Sequence, residues 1–412
     1  MRLALVLHLY QPPTQTSDEL KVIVSECYLP LFKLLRTNKR LKITLNVPLS
    51  VLELFDRYGY SNIISSMKEL VELGRIEIVG TAAYHPLLTK IHPSFAEQQI
   101  ILQEFALGYY LGRRKGFDGD NTVMYKDLKG FFPPELAINR ELLSTLSDLG
   151  YEWCLVDECS VLPVLPTTSD LGSKVFAVNN LHTRVVVRDT KLSNLLSFKR
   201  NTTVSDLIEY MTSHQNKEFV IGLDAEYFGH HYKQRLYVLD FLYQEFERLG
   251  GVFATVTDIV EDYEASQIPN IFESSWGATS SDVVSGNPYP LWSADENIIQ
   301  SYLWELSKMS QDLNLNFFKH SFTDEDLQNV PVWSEGSLAR MVDVVGKSLI
   351  EKNILVNKSL HSDQYWWSSG LSVGGTYLYS SDMINKALNL YNLVFEENTA
   401  AQDLITKIRS KL

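Results

Sequence analysis

The sequence predicts an α/β fold in which a parallel sheet, closed into a barrel, is followed by a helical domain. Strand-type and helix-type segments alternate from residue 1 to about residue 265, as in parallel sheets whose strands are joined by crossover helices. Several apolar strand segments end in acids or histidines, and α/β barrels carry their chemistry at such strand ends. Beyond residue 270 helical periodicity dominates. We therefore place a barrel domain at residues 1–268 and a helical domain at residues 269–412.

The first strand is an apolar run that stops at turn residues. Leu3–Leu7 is continuously apolar, as in a strand covered on both faces, and Pro12 with Pro13 prevents its continuation. Helical spacing predicts helices from Ser17 to Leu35, interrupted near Pro30, and from Ser94 to Leu111. The segments predicted as strands are Leu3–Leu7, Lys42–Val47, Ile76–Val79, Phe131–Phe132, Trp153–Val156, Thr183–Asp189, Phe219–Leu223 and Val252–Thr255.

An open, doubly wound sheet is the alternative architecture, because it has the same alternation of strands and helices. Nucleotide-binding sheets of that kind carry a glycine-rich phosphate loop after a strand, and neither G-x-G-x-x-G nor G-x-x-x-x-G-K occurs after any predicted strand. The seven or eight strand segments and the polar residues at their ends therefore favour closure into a barrel.

The C-terminal third is predicted to be helical. Ser293–Glu296 has the pattern of a capping box that opens a helix. Further helices are predicted over residues 337–354 and from Ser381 onward, each with apolar residues at helical spacing. The chain contains no internal repeat, low-complexity tract or Gly/Ser linker, so we expect the two parts to form one compact body.

Composition narrows the classes of partner. Lysine and arginine total 37 and aspartate and glutamate total 50, so the formal net charge is −13. An acidic chain without a basic block favours neither nucleic acid nor an anionic membrane surface as a partner. The three cysteines lack metal-ligand spacing and fit a reducing compartment. With no signal peptide and no membrane-spanning run expected, we predict a soluble, cytoplasmic protein, while its oligomeric state has no sequence signal.

Two acids are candidates for catalysis because each follows a predicted strand. Asp224 comes directly after Phe219–Leu223 and opens a dense stretch of acids, aromatics and histidines, and Glu135 follows an apolar pair and two prolines. Each could instead be a helix-terminal acid that complements the helix dipole or caps the helix. Carboxyls at the ends of two barrel strands suit acid–base chemistry better. Glu226 competes with Asp224 as the catalytic acid, and spacing alone does not decide between them.

Four of the nine histidines follow predicted strands: His8, His85, His230 and His231. A zinc site would need three or four ligands, commonly in H-E-x-x-H or C-x-x-C patterns, and both patterns are absent. Neutral histidines that hydrogen-bond a sugar are therefore the preferred interpretation, with no metal expected.

Three tryptophans could contact a substrate or could belong to the core. Trp276 lies just after the predicted barrel domain, and Trp366 and Trp367 lie in a polar stretch between Asp363 and Gly370. Because polar neighbours suit an exposed position, we predict that Trp366 and Trp367 form a platform on which a sugar stacks.

Several segments form a recognisable series of motifs. His8–Pro12 matches H-x-H-Q-P except at Tyr10, and Gly74–Gly80 with Tyr84–Pro86 has a glycine-and-acid strand followed by a histidine. Phe132–Glu135 is similar to W-P-x-E, with phenylalanine in place of tryptophan.

Later segments complete the series. Asp224–His231 matches D-x-E-x-F-G-x-W with histidine at the last position, and Glu273–Gly277 and Ser362–Trp367 follow in the predicted helical region. Together, in this order, these segments resemble glycoside hydrolase family 57, the α-glucan-active family of α-amylases, amylopullulanases, branching enzymes and 4-α-glucanotransferases.

The resemblance implies an incomplete seven-stranded (β/α) barrel with a C-terminal helical domain, and a retaining attack on an α-glucan or maltooligosaccharide. It implies that Glu135 is the nucleophile and that Asp224, rather than Glu226, is the acid, with neither a metal nor a cofactor. The predicted substrate-binding residues are His8, Tyr10, Gln11, His85, Glu226, His230, His231, Trp276, Trp366 and Trp367.

Other functions remain open at this stage. Hydrolysis and glucan transfer differ only in which acceptor reaches the glycosyl-enzyme, so the sequence does not separate an α-amylase from a 4-α-glucanotransferase. A metal-dependent polysaccharide deacetylase or an α-mannosidase-like enzyme could use a similar barrel with His and Asp ligands. A glucan-binding protein that has lost its activity is a third possibility, although both acids are retained.

Overall fold

The computed structural model describes most of the chain, in two compact units. The described residues are 1–112, 114–117, 120–125, 128–165, 174–214, 218–321, 347–370, 372–373, 376–377, 379–396 and 398–412. The first unit comprises Met1–Gln11, Gln15–Thr81 and Asp127–Pro288, and the second comprises Pro12–Thr14, Ala82–Lys126 and Tyr289–Leu412. The domain boundary between residues 268 and 269 stays a prediction. The first compact unit extends to Pro288, and Ala82–Lys126 belongs to the second unit.

A parallel sheet around the first strand begins the first unit. Strand β1 (Arg2–His8) pairs in parallel with β2 (Ile43–Asn46) and with β10 (Glu218–Asp224), and β2 pairs in parallel with β3 (Ile76–Val79). Strand β11 (Val252–Ala254) pairs with the first residues of β1. The strand order is therefore β10-β1-β2-β3, and His8 of β1 and Asp224 of β10 are register partners.

A second sheet contributes the other barrel strands. Its order is β12-β8-β9-β7-β6. Strands β6, β7 and β9 are parallel to one another, whereas β8 is antiparallel to β9. Their bounds are β6 (Gly130–Phe131), β7 (Trp153–Val156), β8 (Val175–Val178), β9 (Arg184–Val187) and β12 (Ser266–Ile268).

Two connections join the sheets into a ring. Gly80, which follows β3, forms a parallel bridge with Phe131 of β6, and the Asp189 N–H after β9 donates to the Val220 carbonyl of β10 at 2.6 Å. Among the described residues, this ring contains seven parallel strands: β1, β2, β3, β6, β7, β9 and β10. We call the β9–β10 junction the barrel seam. Among the described residues, β9 and β10 are not paired as neighbouring strands of a sheet, and the backbone hydrogen bond from Asp189 to Val220 joins them. The predicted incomplete seven-stranded barrel is thus confirmed.

The barrel interior is filled by apolar side chains. Ala4 and Val6 of β1 are fully buried together with Val79, Val186 and Val220 from other strands of the ring. Alternate residues of a strand point to the same face, so Ala4 and Val6 project to one side of their sheet. Because this core fills the barrel, substrate chemistry is confined to the strand ends.

Helices cover the strands of the first unit. Several begin with a reciprocal capping box, as at Thr16 with Glu19 and Thr255 with Asp258. The helices are α1 (Ser17–Ile23), α2 (Leu29–Thr37), α3 (Leu49–Arg57), α4 (Ser61–Glu72), α6 (Arg140–Asp148), α7 (Thr190–Ser197), α8 (Val204–Ser213), α9 (Arg235–Arg248), α10 (Val256–Glu261) and α11 (Ser280–Val284). Helices α1 and α2 are continuous through a π-helical turn, Val24–Tyr28, close to the interruption predicted near Pro30.

The second unit is mainly helical. Its helices are α5 (Pro93–Leu111), α12 (Ile298–Ser321), α13 (Lys347–Ser359), α14 (Asp363–Trp366), α15 (Ser381–Phe395) and α16 (Thr399–Arg409). Its strands are β4 (Arg114–Phe117), β5 (Asp120–Tyr125), β13 (Ser372–Val373) and β14 (Thr376–Tyr377). Helix α12 begins later than Ser293–Glu296 predicted, because the Asn297 side chain caps it by accepting from the Ile299 and Gln300 N–H groups at 3.1 Å each.

The sequence located the barrel strands correctly and missed the short additional ones. Val175–Val178 and Ser266–Ile268 are too short for periodicity to separate them from loop segments. The helix predicted over residues 337–354 lies partly outside the described residues, and its described part belongs to α13. Within the described ranges, no helix combines the length and apolarity needed to cross a membrane.

Candidate active site

Glu135 follows β6 on a tight turn, Pro134–Leu136. Glu135 and Leu136 have φ values of 58° and 47°, a left-handed conformation that costs roughly 1–2 kcal/mol for a residue with a Cβ. The glutamate is 8% exposed, and its Oε2 accepts a hydrogen bond of 2.8 Å from the Trp276 indole N–H. Such strain persists only where surrounding structure imposes it, and it clusters at functional sites.

Trp276 belongs to a segment that pairs with the Glu135 turn. Ser274 and Ile138 exchange two backbone hydrogen bonds of 3.0 Å, and the Trp276 N–H donates to the Glu135 carbonyl at 3.0 Å. This segment therefore lies in the first compact unit. The position of Trp276 beside Glu135 depends on backbone hydrogen bonds between residues more than a hundred positions apart in the sequence. Apolar periodicity does not reveal such pairing.

His8, at the end of β1, stacks on two aromatic rings. It is 2% exposed, and its ring stacks on Tyr10 at 5.4 Å and on Phe132 at 5.0 Å between centroids. Its Nδ1 bonds the side-chain oxygen of Asn46, and the Trp276 ring meets it edge-on at 6.4 Å. The histidine is thus fixed in orientation beside the tryptophan that contacts Glu135.

Asp224 is the last residue of β10 and the register partner of His8 on the neighbouring strand. It is half-buried, in contrast to the buried Glu226 two residues later. Since His8 also stacks on Phe132, which lies three residues before Glu135, the same histidine borders the segments of both acids. The first unit therefore brings the predicted acids to one edge of the barrel.

Glu226 is enclosed by hydrogen-bond donors. It is 6% exposed, and its Oε1 accepts from the Tyr28 hydroxyl and, at 3.1 Å, from the Gln11 amide. Burial raises the pKa of Glu226 from its usual 4.5 to about 8. Glu226 is therefore protonated at neutral pH in the folded protein.

This protonation predicts a pH-dependent stability. The folded-state pKa lies above the unfolded value, so folding takes up a proton between about pH 5 and about pH 8, and the free energy of unfolding falls as pH rises through this window. Glu226→Gln cannot titrate, so its Tm relative to that of the wild type should increase from the acidic to the alkaline end. Thermal unfolding across this pH range measures the difference, with Glu209→Gln, on an exposed residue of α8, as the control. A Tm difference independent of pH would contradict the assignment.

The loop after β10 rests on the π-helical turn Val24–Tyr28. The Cys27 thiol donates to the Ala225 carbonyl at 3.1 Å. At Gly229, where φ is +119°, an added Cβ would lie 2.1 Å from the Glu26 carbonyl oxygen, so this close approach requires glycine. π-Helical turns are rare and frequent at functional sites, and this one positions the loop that follows Asp224.

The two adjacent histidines of this loop have different surroundings. His230 Nδ1 lies 2.8 Å from the Glu26 carboxylate, which also pairs with Lys233. His231 is exposed, and its ring centroid lies 5.0 Å from that of Tyr227. His230 is therefore part of the loop's anchorage, and substrate contact by either histidine stays a prediction.

A buried ion pair near the strand ends was missed in the sequence. Arg188 directly follows β9 and Asp157 directly follows β7; they are 4% and 3% exposed, with Arg188 Nε donating to Asp157 Oδ2 at 2.6 Å. Both obey the rule that identified Asp224, a polar residue immediately after a buried strand, so the signal was present. Arg188 was not identified as a strand-end residue because the predicted strand, Thr183–Asp189, includes it.

Three predicted site residues lie in the second unit. His85 is 1% exposed, has φ of 58°, and its Nδ1 lies 2.9 Å from the Ser362 hydroxyl. Trp366 is half-buried. Trp367 is only 9% exposed and meets His361 edge-on at 5.5 Å, so the expectation that it is exposed was wrong. Sugar contacts by these three residues stay predictions.

Within the part of the chain that the structure describes, no three His, Cys, Asp or Glu side chains are grouped as metal ligands. The three cysteines, Cys27, Cys154 and Cys159, are buried free thiols.

Comparison with known sequences gives a family match. The family model described as glycosyl hydrolase family 57 matches residues 8–272, which is more than half of the chain. A curated α-amylase from Pyrococcus horikoshii is 24% identical over 228 residues, covering 54% of this chain and 33% of that protein. The match thus spans about a third of the length of the curated relatives.

Solved structures share the fold. A branching enzyme from Pyrococcus horikoshii has a TM-score of 0.69 at 13% identity, covering 100% of this chain and 94% of that chain. A 4-α-glucanotransferase from Thermococcus litoralis has a TM-score of 0.61 at 17% identity, covering 95% of this chain and 57% of that chain. At these identities the similarity establishes the fold alone.

Proposed function

The chain belongs to glycosyl hydrolase family 57, and we propose that it is a retaining glycosidase that cleaves α-1,4-linked glucan by double displacement. The observation that carries this proposal is that two carboxyl groups follow barrel strands and differ in burial and in hydrogen bonding. Glu135 is buried and accepts the Trp276 indole N–H, whereas Asp224 is half-buried at the end of β10. Two carboxyls in different environments can divide the nucleophile and acid roles between them.

In the first step, the Glu135 carboxylate attacks the anomeric carbon while Asp224 gives its proton to the departing glycosidic oxygen. The C–O bond to the leaving sugar breaks as the bond to Glu135 forms, leaving a covalent glycosyl-enzyme. The Trp276 N–H supports the ionised form of Glu135, because a hydrogen bond to a carboxylate favours its charged state.

In the second step, water attacks the anomeric carbon and gives its proton to the Asp224 carboxylate. The ester to Glu135 breaks, and both carboxyls return to their starting states. Two inversions at one carbon retain its configuration. A sugar hydroxyl in place of water would give transfer rather than hydrolysis.

Asp224 fits the acid role better than Glu226. The Tyr28 hydroxyl and the Gln11 amide already occupy Glu226, which is 6% exposed. A general acid must come within hydrogen-bond reach of the oxygen that it protonates, and Asp224 is the more accessible of the two. Glu226 then contributes by holding the Asp224 loop against Tyr28.

Aromatic faces support a sugar substrate. Tyr10 and Trp276 are half-buried and both contact the His8 ring, and an aromatic ring can cover the apolar C–H face of a sugar. The α-glucan class rests on the family and on the curated α-amylase relatives. We extend the proposed substrate contacts to Gln11 and His231 of the first unit. Sugar contacts by His85, Trp366 and Trp367 of the second unit stay predictions.

Product analysis tests this proposal. Incubation with maltooligosaccharides and soluble starch should release shorter oligosaccharides, and proton NMR of the first products should show the α-anomer. Products longer than the starting oligosaccharide would identify the 4-α-glucanotransferase alternative, in which the same glycosyl-enzyme passes to a sugar. Release of the β-anomer, or no cleavage of any α-glucan, would contradict the proposed mechanism.

A further inference from the structure

Arg188 crosses the barrel seam with its side chain. Its Nη1 donates to the Gly222 carbonyl of β10 at 2.9 Å, two residues before Asp224. At this seam the strands are joined by the backbone hydrogen bond from Asp189 to Val220. The arginine therefore adds a second hydrogen bond between β9 and the strand that carries the acid.

The same guanidinium lies over Trp276. Its central carbon is 5.4 Å from the Trp276 ring centroid, within the range of a cation–π interaction. The indole N–H of that ring donates to Glu135 Oε2 at 2.8 Å. Arg188 thus contacts the strand of the acid on one side and the hydrogen-bond donor of the nucleophile on the other.

The charge of Arg188 is balanced within the fold. Asp157 accepts its Nε–H at 2.6 Å, and Asp157 itself accepts from the Thr190 hydroxyl at 3.0 Å and from the Cys159 N–H at 3.1 Å. Lys174, the neighbouring buried cation, lies 3.7 Å from Glu158 instead. A buried ion pair is weak evidence for added stability, so stability alone does not account for an arginine that also contacts a backbone carbonyl and an indole ring.

We propose that Arg188 is a positioning residue that fixes Trp276 against Glu135 and Gly222 on the strand of Asp224, so that the two carboxyls are held at a constant separation. This inference rests on the proposed glycosidase function. The role requires the guanidinium, because the ammonium of lysine is a compact point charge that cannot bind Asp157 and Gly222 while also lying over an indole.

A double-mutant cycle tests whether Arg188 acts through Trp276. Arg188→Lys retains the charge, and Trp276→Phe retains a ring without the N–H. Each should lower kcat on a maltooligosaccharide by about tenfold or more, with KM changed by less than about threefold. Because both changes disturb one linkage, the double variant should be no more than about threefold slower than the slower single variant.

Arg184→Lys is the matched control. Arg184 is the first residue of β9, the strand that Arg188 follows. Its side chain donates to the Val260 carbonyl at 3.1 Å and has no part in the site, so kcat of Arg184→Lys should be unchanged. If Arg188→Lys retains wild-type kcat, or if the losses of the two single variants multiply in the double variant, the positioning role is overturned. A merely structural role would lower Tm while leaving the kcat of the folded enzyme unchanged.

Chemical rescue provides a second readout. Arg188→Ala leaves the buried Asp157 carboxylate without its cation. The variant therefore also carries Asp157→Asn, which removes this uncompensated charge and preserves folding. Added guanidinium at non-denaturing concentration should raise kcat by about tenfold or more, whereas urea, planar but neutral, should not, because only the cation restores the interaction with the ring. Equal effects of guanidinium and urea, or no rescue, would overturn the inference.

Different results would contradict the glycosidase function and the role of Arg188. Wild-type turnover of the oligosaccharide tests the glycosidase function, and a wild type without turnover removes both that function and the role of Arg188. An active wild type whose variants behave independently removes the role of Arg188 alone.

Discussion

Glu135→Gln is expected to abolish turnover, lowering kcat by about a thousandfold or more, because an amide cannot form the glycosyl-enzyme that a carboxylate nucleophile forms. The substitution preserves shape, and its side-chain oxygen can still accept the Trp276 N–H. Folding and glucan binding should therefore persist. Initial rates on maltooligosaccharides, the Tm and a glucan affinity measured by calorimetry provide the comparison.

Glu141→Gln controls for the loss of a nearby charge, since Glu141 is exposed on α6 and should be dispensable for turnover. Glu135→Ala with added azide gives a further check, because a small anion can attack from the face that the carboxylate occupied. Activity of Glu135→Gln above a few per cent of the wild type, with contaminating enzyme excluded, would remove Glu135 as the nucleophile.

Asp224→Asn is expected to lose activity selectively, according to the leaving group. On maltooligosaccharides, whose departing oxygen needs a proton, kcat/KM should fall by about a hundredfold or more, the range of general acid catalysis. On a glucosyl fluoride, whose leaving group departs without protonation, formation of the glycosyl-enzyme should be far less affected. Paired kinetics on the two substrates measure this difference.

Asp56→Asn, on an exposed residue of α3, should leave kcat/KM unchanged on both substrates. The companion variant Glu226→Gln separates the two candidate acids. If Glu226→Gln, and not Asp224→Asn, showed the leaving-group dependence, the acid role would belong to Glu226. Equal losses on the two substrates for Asp224→Asn would likewise contradict its role as the proton donor.

The strand-end rule explains how much of the site the sequence could predict. Apolar runs located the barrel strands, and the polar residue after a run identified Asp224 and, two prolines further on, Glu135. The same rule applied to Val156 and Val187 would have identified Asp157 and Arg188. A buried charge is recognisable only with its partner, and these two residues are separated by 31 positions.

The polar stretch around Trp367 shows where local sequence misleads. Its polar neighbours suggested exposure, yet Gln364 is fully buried, and its amide donates to the carbonyls of Ser359 and His361. Buried polar side chains are normally hydrogen-bonded, so polarity in sequence can mark an internal network as well as a surface. Trp367 was assigned to the surface for that reason.

Two of the three departures from the family motifs meet in space. Tyr10 and Phe132 each replace a different motif residue, and both rings stack on His8 at 8° and 12°. The sequence shows them as separate deviations more than a hundred residues apart. The structure shows that both rings stack on the same histidine, so their effects on substrate binding should be coupled.

Trapping the glycosyl-enzyme tests the central assignment most directly. A fluorinated glucosyl fluoride slows breakdown of the intermediate more than its formation, so the covalent species accumulates and its attachment site can be located by mass spectrometry of peptides. We predict one added sugar on the peptide that contains Glu135, absent from Glu135→Gln. An adduct on a different residue, or none while the wild type turns over α-glucan, would contradict double displacement through Glu135.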